Sequence, residues 1–194
     1  WFGECDESDL ITNDGAEVGD LLFLTKPLGA GSITTSVKRD VADQQHVDAA
    51  VAGMMRLNDT AARAMKAAEV KAATDITGFG LIGHAFNIAR ASNVELRFSA
   101  SAIPLYDGAL DLAKQGVISG ASSRGRDVYG PSATISPDVP QELADICFDA
   151  ETSGGLLVCV HPDKVGAFRE SLGEHDLFVQ IGEVVAGSSG VFLV

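Results

Sequence analysis

Asp75 is followed by the glycine-rich stretch Thr77-Gly78-Phe79-Gly80 and then by an apolar run that holds His84. A carboxylate in that setting can hold a hard cation such as Mg2+, which prefers oxygen ligands and usually bridges to phosphate. Glycines let the backbone approach a ligand closely, and a helix start beside them favours an anion. A second segment, Asp149-Ala150-Glu151-Thr152-Ser153-Gly154-Gly155, leads into the apolar run Leu156–Val160. Its adjacent hydroxyls and paired glycines can cradle an oxyanion. A third, Thr25-Lys26-Pro27-Leu28-Gly29-Ala30-Gly31, offers Lys26 as a point charge for phosphate. Each segment also has a plainer reading. Asp75 can be a helix cap, Gly78 and Gly80 turn formers, residues 152–155 a turn into a strand, and Lys26 a solvated lysine.

Other chemistries find little support in the sequence. His84 falls in the first turns of an apolar helix, where a lone histidine usually packs and hydrogen-bonds. His46, His161 and His175 lack cysteine or carboxylate neighbours at metal-ligand spacing. Cys5, Cys147 and Cys159 are odd in number and show no CxxC spacing, so neither a disulfide framework nor a zinc site is expected. Cys159 reads as a core residue of its apolar run. No Gly-Lys-Ser or Gly-Lys-Thr occurs, so the glycine loops are not P-loops.

The elements that must position these residues alternate between strand and helix. Short apolar or alternating runs predict strands near 21–25, 70–74, 94–99, 155–160, 179–184 and 190–194, the last two as a closing pair. Leu96 and Phe98 should point to one side of their strand. Apolar residues at spacings of three, four and seven predict helix over 43–67, with Asp43 as its cap and a break at Asn58-Asp59-Thr60. The stripe of Val47, Val51, Met54, Met55, Ala62 and Met65 reads as core. Further helices are expected over 81–92, from Pro104 to Lys114, over 140–147 and over 162–172. Pro27, Gly29 and Gly31 predict a loop after the first strand. Residues 118–139, rich in Ser, Gly and Pro, predict a long irregular loop. The fold class is therefore α/β (α+β), a mixed sheet with packed helices. Residues 1–19, polar and turn-rich, read as an inter-domain linker, and 20–194 as one domain.

The formal charge sets limits on partners. Fourteen Lys and Arg stand against 27 Asp and Glu, a net charge of −13. That field repels a phosphate backbone, and no basic stripe offsets it, so nucleic acid is not an expected partner. No apolar run approaches the ~18 residues of a membrane span. Cysteine usage points to a reducing cytoplasm. The chain opens on Trp1 without an initiator Met, which suggests a piece of a longer protein.

Taken in order, Thr25 through Gly31, Thr74 through His84 and Thr152 through Leu157 resemble the selenophosphate synthetase (selenide, water dikinase) family. The run Asp75-Ile76-Thr77-Gly78-Phe79-Gly80-Leu81-Ile82-Gly83-His84 is the specific part. More broadly, the chain looks like the C-terminal domain shared with aminoimidazole ribonucleotide synthetase, hydrogenase maturation factor E and thiamine monophosphate kinase. The resemblance runs from about residue 11 to 194. It implies an aminoimidazole ribonucleotide synthetase C-terminal domain-like fold and a homodimeric enzyme. Such enzymes convert selenide, ATP and water to selenophosphate, AMP and phosphate, with Mg2+. It implies that Asp75 is the C-terminal domain's metal ligand. Lys26, Thr77, Gly78, Gly80, Thr152, Ser153, Gly154 and Gly155 are the nucleotide-side candidates. The catalytic thiol or selenol, the ATP-binding lysine and the other metal ligands would belong to an N-terminal domain outside this chain. The chain alone is then expected to be inactive. Two departures touch the site. The family commonly has Asp-Pro-Gln where this chain has Asp149-Ala150-Glu151. It often has an Arg-Asn pair where this chain has Arg124-Gly125. A superfamily paralogue acting on another substrate and a non-catalytic dimerisation or regulatory module are the rival expectations.

Overall fold

The computed structural model describes residues 6, 10–173 and 176–194. Cys5, His175 and most of the first nine linker positions lie outside the described residues. Seven strands form one mixed sheet: β1 (Leu21–Leu24), β2 (Ala72–Asp75), β3 (Glu95–Phe98), β4 (Ala133–Ile135), β5 (Leu156–Val160), β6 (Val179–Val185) and β7 (Gly190–Leu193). Their order is β2-β5-β1-β6-β3-β7-β4. The β2/β5, β5/β1, β1/β6 and β6/β3 pairs are antiparallel, while β3/β7 and β7/β4 are parallel.

Helices cover both faces, and β5 records this in its sequence. All five of its residues are buried. Leu157 and Cys159 join Leu22, Leu24, Leu81, Ile82, Ile146 and Phe148 in the larger core, under α4 (Gly80–Ser92) and α7 (Gln141–Phe148). Leu156, Val158 and Val160 point the other way, to Phe23 and to α3 (Asp59–Ala67) and α8 (Val165–Leu172). A strand covered on both faces has no solvent side, so it reads as an unbroken apolar run even when its neighbours are antiparallel. Beneath α8, the Phe178 ring stacks on Phe23 at 3.9 Å and on Phe168 at 4.3 Å.

The predicted strands are present within two residues of their expected ends. Leu96 and Phe98 are both fully buried, as the alternation implied. Asp43 caps α2 (Gln44–Met55), accepting from Gln45 N at 2.8 Å, and the helix breaks before Asn58. Cys159 is a buried core residue.

Other expectations fail for physical reasons. The 118–139 segment is not an irregular loop. It forms α6 (Gly120–Tyr129), a 3-10 turn over Gly130–Ser132, and β4. Its Ser- and Gly-rich sequence has weak helix propensity. Packing on α7 overrides this: Gly125 sits where a Cβ would meet Phe148 O at 2.7 Å, and Arg126 lies over the Phe148 ring at 4.7 Å. The loop expected after β1 is present over 25–29, but it ends at Gly29, whose φ is 107°, and Gly31 already lies in an unexpected helix, α1 (Ala30–Lys38). Helix α5 spans only Ala109–Lys114, because Leu105 bridges to Leu28 and Gly108 turns at positive φ. The last two strands are not paired with each other, since β3 lies between them. The expected core stripe holds only in part along α2: Val47 and Met54 are half-buried against the main core, while Val51 is exposed and Met55 is 76% exposed. Met65, on α3, does enter the core.

Described residues before β1 lie against the domain. Thr12 bridges to Ala72 and Ala16 is buried in the main core.

Candidate functional site

The ladders decide which loops meet. In β2/β5, Asp75 stands opposite Leu156, and in β1/β5, Leu24 stands opposite Leu157. The ends of β1 and β2 and the start of β5 therefore share one end of the sheet. This brings Thr25-Lys26, Asp75–Gly80 and Thr152–Gly155 together from segments up to 130 positions apart.

The two glycine loops are stitched backbone to backbone. Ile76 N donates to Gly155 O at 2.9 Å, and Glu151 N donates to Thr77 O at 3.0 Å. The glycines are sterically required at this seam. A Cβ on Gly154 would meet Ile76 O at 2.2 Å, one on Gly155 would meet Lys26 N at 2.5 Å, and one on Gly80 would meet Asp149 O at 2.7 Å. Gly78 is different: nothing lies within 4 Å of its Cβ position. Ser153 takes the left-handed region at φ 51°. Among the described residues, no acceptor takes the N–H of Thr152, Ser153, Gly154 or Gly155. Unpaired backbone donors are rare on buried residues such as Gly154 and Gly155, and successive free N–H groups around a left-handed residue can bind an anion. At α4, Phe79 supplies no side-chain cap.

Asp75 is exposed at the end of β2. Its carboxylate makes no hydrogen bond or ion pair among the described residues. The neighbouring His84 is buried and its role is structural. Nε2 accepts from Thr77 N at 3.1 Å, and Thr77 Oγ1 lies 3.1 Å from the same nitrogen. Burial lowers its pKa, and the nearby Asp75 charge only partly opposes this. A neutral imidazole that accepts at Nε2 pins the Thr77 loop and leaves no lone pair for a base. The Phe79 ring, half exposed, stands 5.2 Å from His84 and 5.7 Å from Tyr129.

Lys26 is neither solvated nor facing outward. It is 1% exposed, and its Nζ donates to Arg56 O at 2.7 Å and Ser153 O at 2.9 Å. Desolvation lowers its pKa, and the charge of Arg56 adds to that. Asn58 Nδ2 donates to Gly154 O at 2.9 Å, while Thr25 Oγ1 accepts from Leu156 N at 2.8 Å. Arg56 spans from Thr25 O to Asp176.

Two buried acids lie behind the second loop. Glu151 accepts from Gly29 N at 2.6 Å and Ala30 N at 3.1 Å, so its carboxyl caps the start of α1. Burial pushes its pKa up to about 8 against the pull of those two N–H groups, and Asp149 adds to the rise. Asp149 is held by the backbone and hydroxyl of Ser119 and by Ala150 N, and burial raises its pKa too.

Sequence reasoning missed Arg56 and Asn58 as parts of this constellation, and it placed Asp149 and Glu151 in the second segment without a role. Both acids carried a signal, as the residues just before Thr152 where the resembling family has Asp-Pro-Gln. Asn58 and Arg56 reach the loop through the α2–α3 bend, which no spacing rule reveals.

Among the described residues no three metal-ligating side chains converge. One unpaired, exposed carboxylate beside a run of free N–H groups suits a cation that Mg2+ chemistry fills with water and phosphate. Asp75 can therefore supply one ligand of a shared site but cannot build one alone. A separate cleft of about 190 Å3 lies at the opposite end of β1 and β5, lined by Asp20, Lys71, Cys159 and His161 among others. Ion pairs of Lys71 with Glu17 and of Lys164 with Glu69 cross its lining, and none of the site residues reaches it.

Residues 17–194 match the family model described as AIR synthase related protein, C-terminal domain. The chain is 39% identical over 177 residues to a selenide, water dikinase of Geobacter metallireducens, covering 91% of this chain and 51% of that protein. It is 37% identical over 196 residues to one of Paraburkholderia xenovorans, covering all of this chain and 55% of the relative. The chain thus spans about half the length of the curated relatives it matches. Among solved structures, hydrogenase maturation protein HypE in complex with ATP aligns at TM-score 0.65 and 14% identity, over 94% of this chain and 49% of that one. Thiamine monophosphate kinase from Aquifex aeolicus aligns at TM-score 0.61 and 18% identity, over 94% and 52%. These likenesses show a shared fold.

Proposed function

Because the chain belongs to the AIR synthase related C-terminal domain family, we propose that it is the C-terminal half of an ATP-dependent selenide, water dikinase. The reaction would convert selenide, ATP and water to selenophosphate, AMP and phosphate. The observation that carries this reading is the meeting of Asp75 with the free N–H groups of Thr152–Gly155 at one end of the sheet. A carboxylate and an anion receptor side by side are what a magnesium-bound polyphosphate requires. Neither alone would select it.

In this reading Thr152–Gly155 bind phosphate oxygens through the backbone, with Thr77, Gly78 and Gly80 forming the facing wall. Asp75 holds Mg2+, which supplies charge neutralisation between the phosphates and this acidic chain. Lys26 acts from behind the loop. No group in the described chain is poised to activate selenide. Cys147 and Cys159 are buried, with thiol pKa values pushed up by burial, that of Cys147 to about 12. The family resemblance assigns the activating thiol or selenol, the remaining metal ligands and the main ATP contacts to an N-terminal ATP-binding domain. The same reading makes the enzyme a homodimer acting in the cytoplasm.

The test is selenide-dependent AMP formation by the two-domain protein that contains this chain, against the chain alone. Turnover by the former and none by the latter is expected. ATP hydrolysis indifferent to selenide would point to a paralogue. No nucleotide use by either would leave a dimerisation or regulatory module.

A further inference from the structure

We infer that Lys26 and Asn58 are positioning residues that hold the Thr152–Gly155 loop open to an anion by occupying its carbonyls. The inference rests on the reading of that loop as a phosphate cradle, and it names what shapes the cradle.

In a trans peptide the C=O of one residue and the N–H of the next point in opposite directions. Three successive carbonyls of the loop are drawn to the protein side. Ser153 O accepts from Lys26 Nζ at 2.9 Å, Gly154 O from Asn58 Nδ2 at 2.9 Å, and Gly155 O from Ile76 N at 2.9 Å. The N–H groups of Gly154, Gly155 and Leu156 must then point away from those donors. Leu156 N is taken by Thr25 Oγ1, but those of Gly154 and Gly155 meet no acceptor among the described residues. Removing the donors from the carbonyl side would let either peptide flip and present an oxygen where the phosphate should sit.

Lys26 adds charge to geometry. Its ammonium is buried against two carbonyls and forms no ion pair among the described residues. A buried charge with only dipoles for company is costly, so its retention calls for a use. Lying on the carbonyl side of the loop, it biases the N–H side toward an anion without touching it. Asn58 is suited to a test because it precedes α3 yet makes no capping hydrogen bond with its side chain. Its replacement removes the bond to Gly154 O and no helix cap.

The experiment is a titration of the chain with sodium tripolyphosphate, followed by the amide NMR shifts of Ser153, Gly154 and Gly155. The chains compared are the native one, Asn58→Leu and Lys26→Met. Asn58→Leu keeps size and neutrality and loses only the donor. About tenfold weaker binding is expected for it, with the Gly154 and Gly155 amide shifts of the unliganded chain moved and the melting temperature nearly unchanged. Asn58→Gln, which keeps an amide donor, should recover part of the affinity. Should Asn58→Leu fail to fold, Asn58→Ser carries the same comparison. Native-like affinity and amide shifts in the folded Asn58 variant overturn the positioning role while leaving the cradle intact. Absence of any response at Ser153–Gly155 in the native chain overturns the cradle reading, and the positioning role with it.

Discussion

Glu151 holds the backbone N–H of Gly29 at 2.6 Å across 122 positions of sequence, and so ties the start of α1 to the second glycine loop. The carboxyl is buried, and its pKa rises from 4.5 to about 8 because desolvation outweighs its two N–H donors. An acid whose pKa is raised on folding contributes stability that is fully present below 4.5 and is lost as pH climbs toward 8. Asp149 and Asp20, also raised by burial, add to the decline in the same sense above 3.8. His84 works the other way. Its lowered pKa costs stability as pH falls below 6.5. Denaturant melts of the chain from pH 5 to 9 should show stability falling from pH 5 to about 8 and levelling off above it, by on the order of a few kcal/mol. Glu151→Gln should flatten that fall. An identical slope between pH 5 and 8 in the variant would show that Glu151 is ionised throughout.

The glycines of the site should separate by mutation. Gly154→Ala forces a Cβ toward Ile76 O and should cost about 1–3 kcal/mol. Gly78→Ala meets open space, and Gly78 is not among the positive-φ glycines. It should be neutral or stabilise by about 0.4–1 kcal/mol. Thermal melts of the two variants check the difference. Equal destabilisation would mean that Gly78 is under a constraint other than packing.

The aromatic stack under α8 and the exposed face of α2 give a second contrast. Phe178→Ala removes a ring packed against both Phe23 and Phe168 and should cost about 3–5 kcal/mol. Met55→Ala, at a side chain 76% exposed, should stay within about 0.5 kcal/mol. Urea melts distinguish these. A large loss at Met55 would place it in the core with Val47 and Met54 of the same stripe.

These contrasts also mark where the sequence was legible. β5 could be read because an apolar run bounded by glycines and a His-Pro pair has few alternatives, and Asp43 could be read as a cap because its partner is two residues away. Helix α1 could not, because its cap, Glu151, lies in another part of the chain. Nor could α6, because its stability comes from Gly125 and Arg126 fitting against Phe148 rather than from its own propensity. At the site, Asp75 and the two glycine loops were visible as local patterns. The direction of Lys26 was not, since a lysine at a strand end is ordinarily solvated and only the fold supplies the carbonyls of Arg56 and Ser153. Local signals survive in sequence, while long-range hydrogen bonds leave no spacing to find.

Asp75 carries the most direct test of the proposed chemistry. Its carboxylate ends β2, is exposed, and makes no hydrogen bond or ion pair among the described residues. A capping or core-stabilising role would require such partners, so Asp75→Asn should leave the melting temperature of the chain within about a degree or two, as for an ordinary surface substitution. The same change replaces a charged oxygen ligand by a neutral amide. A hard cation bridging to phosphate loses one of its one or two protein carboxylates. In the two-domain protein, selenide-dependent AMP formation should fall by about 100-fold or more. Added Mg2+ should restore part of the loss if weakened metal binding is the cause. The chain alone, with one carboxylate, should bind Mg2+ only in the millimolar range, and Asp75→Asn should abolish even that by NMR titration. Turnover within twofold of the native enzyme would remove Asp75 from the metal site. A fall in melting temperature of ten degrees would instead make it a structural residue at the end of β2.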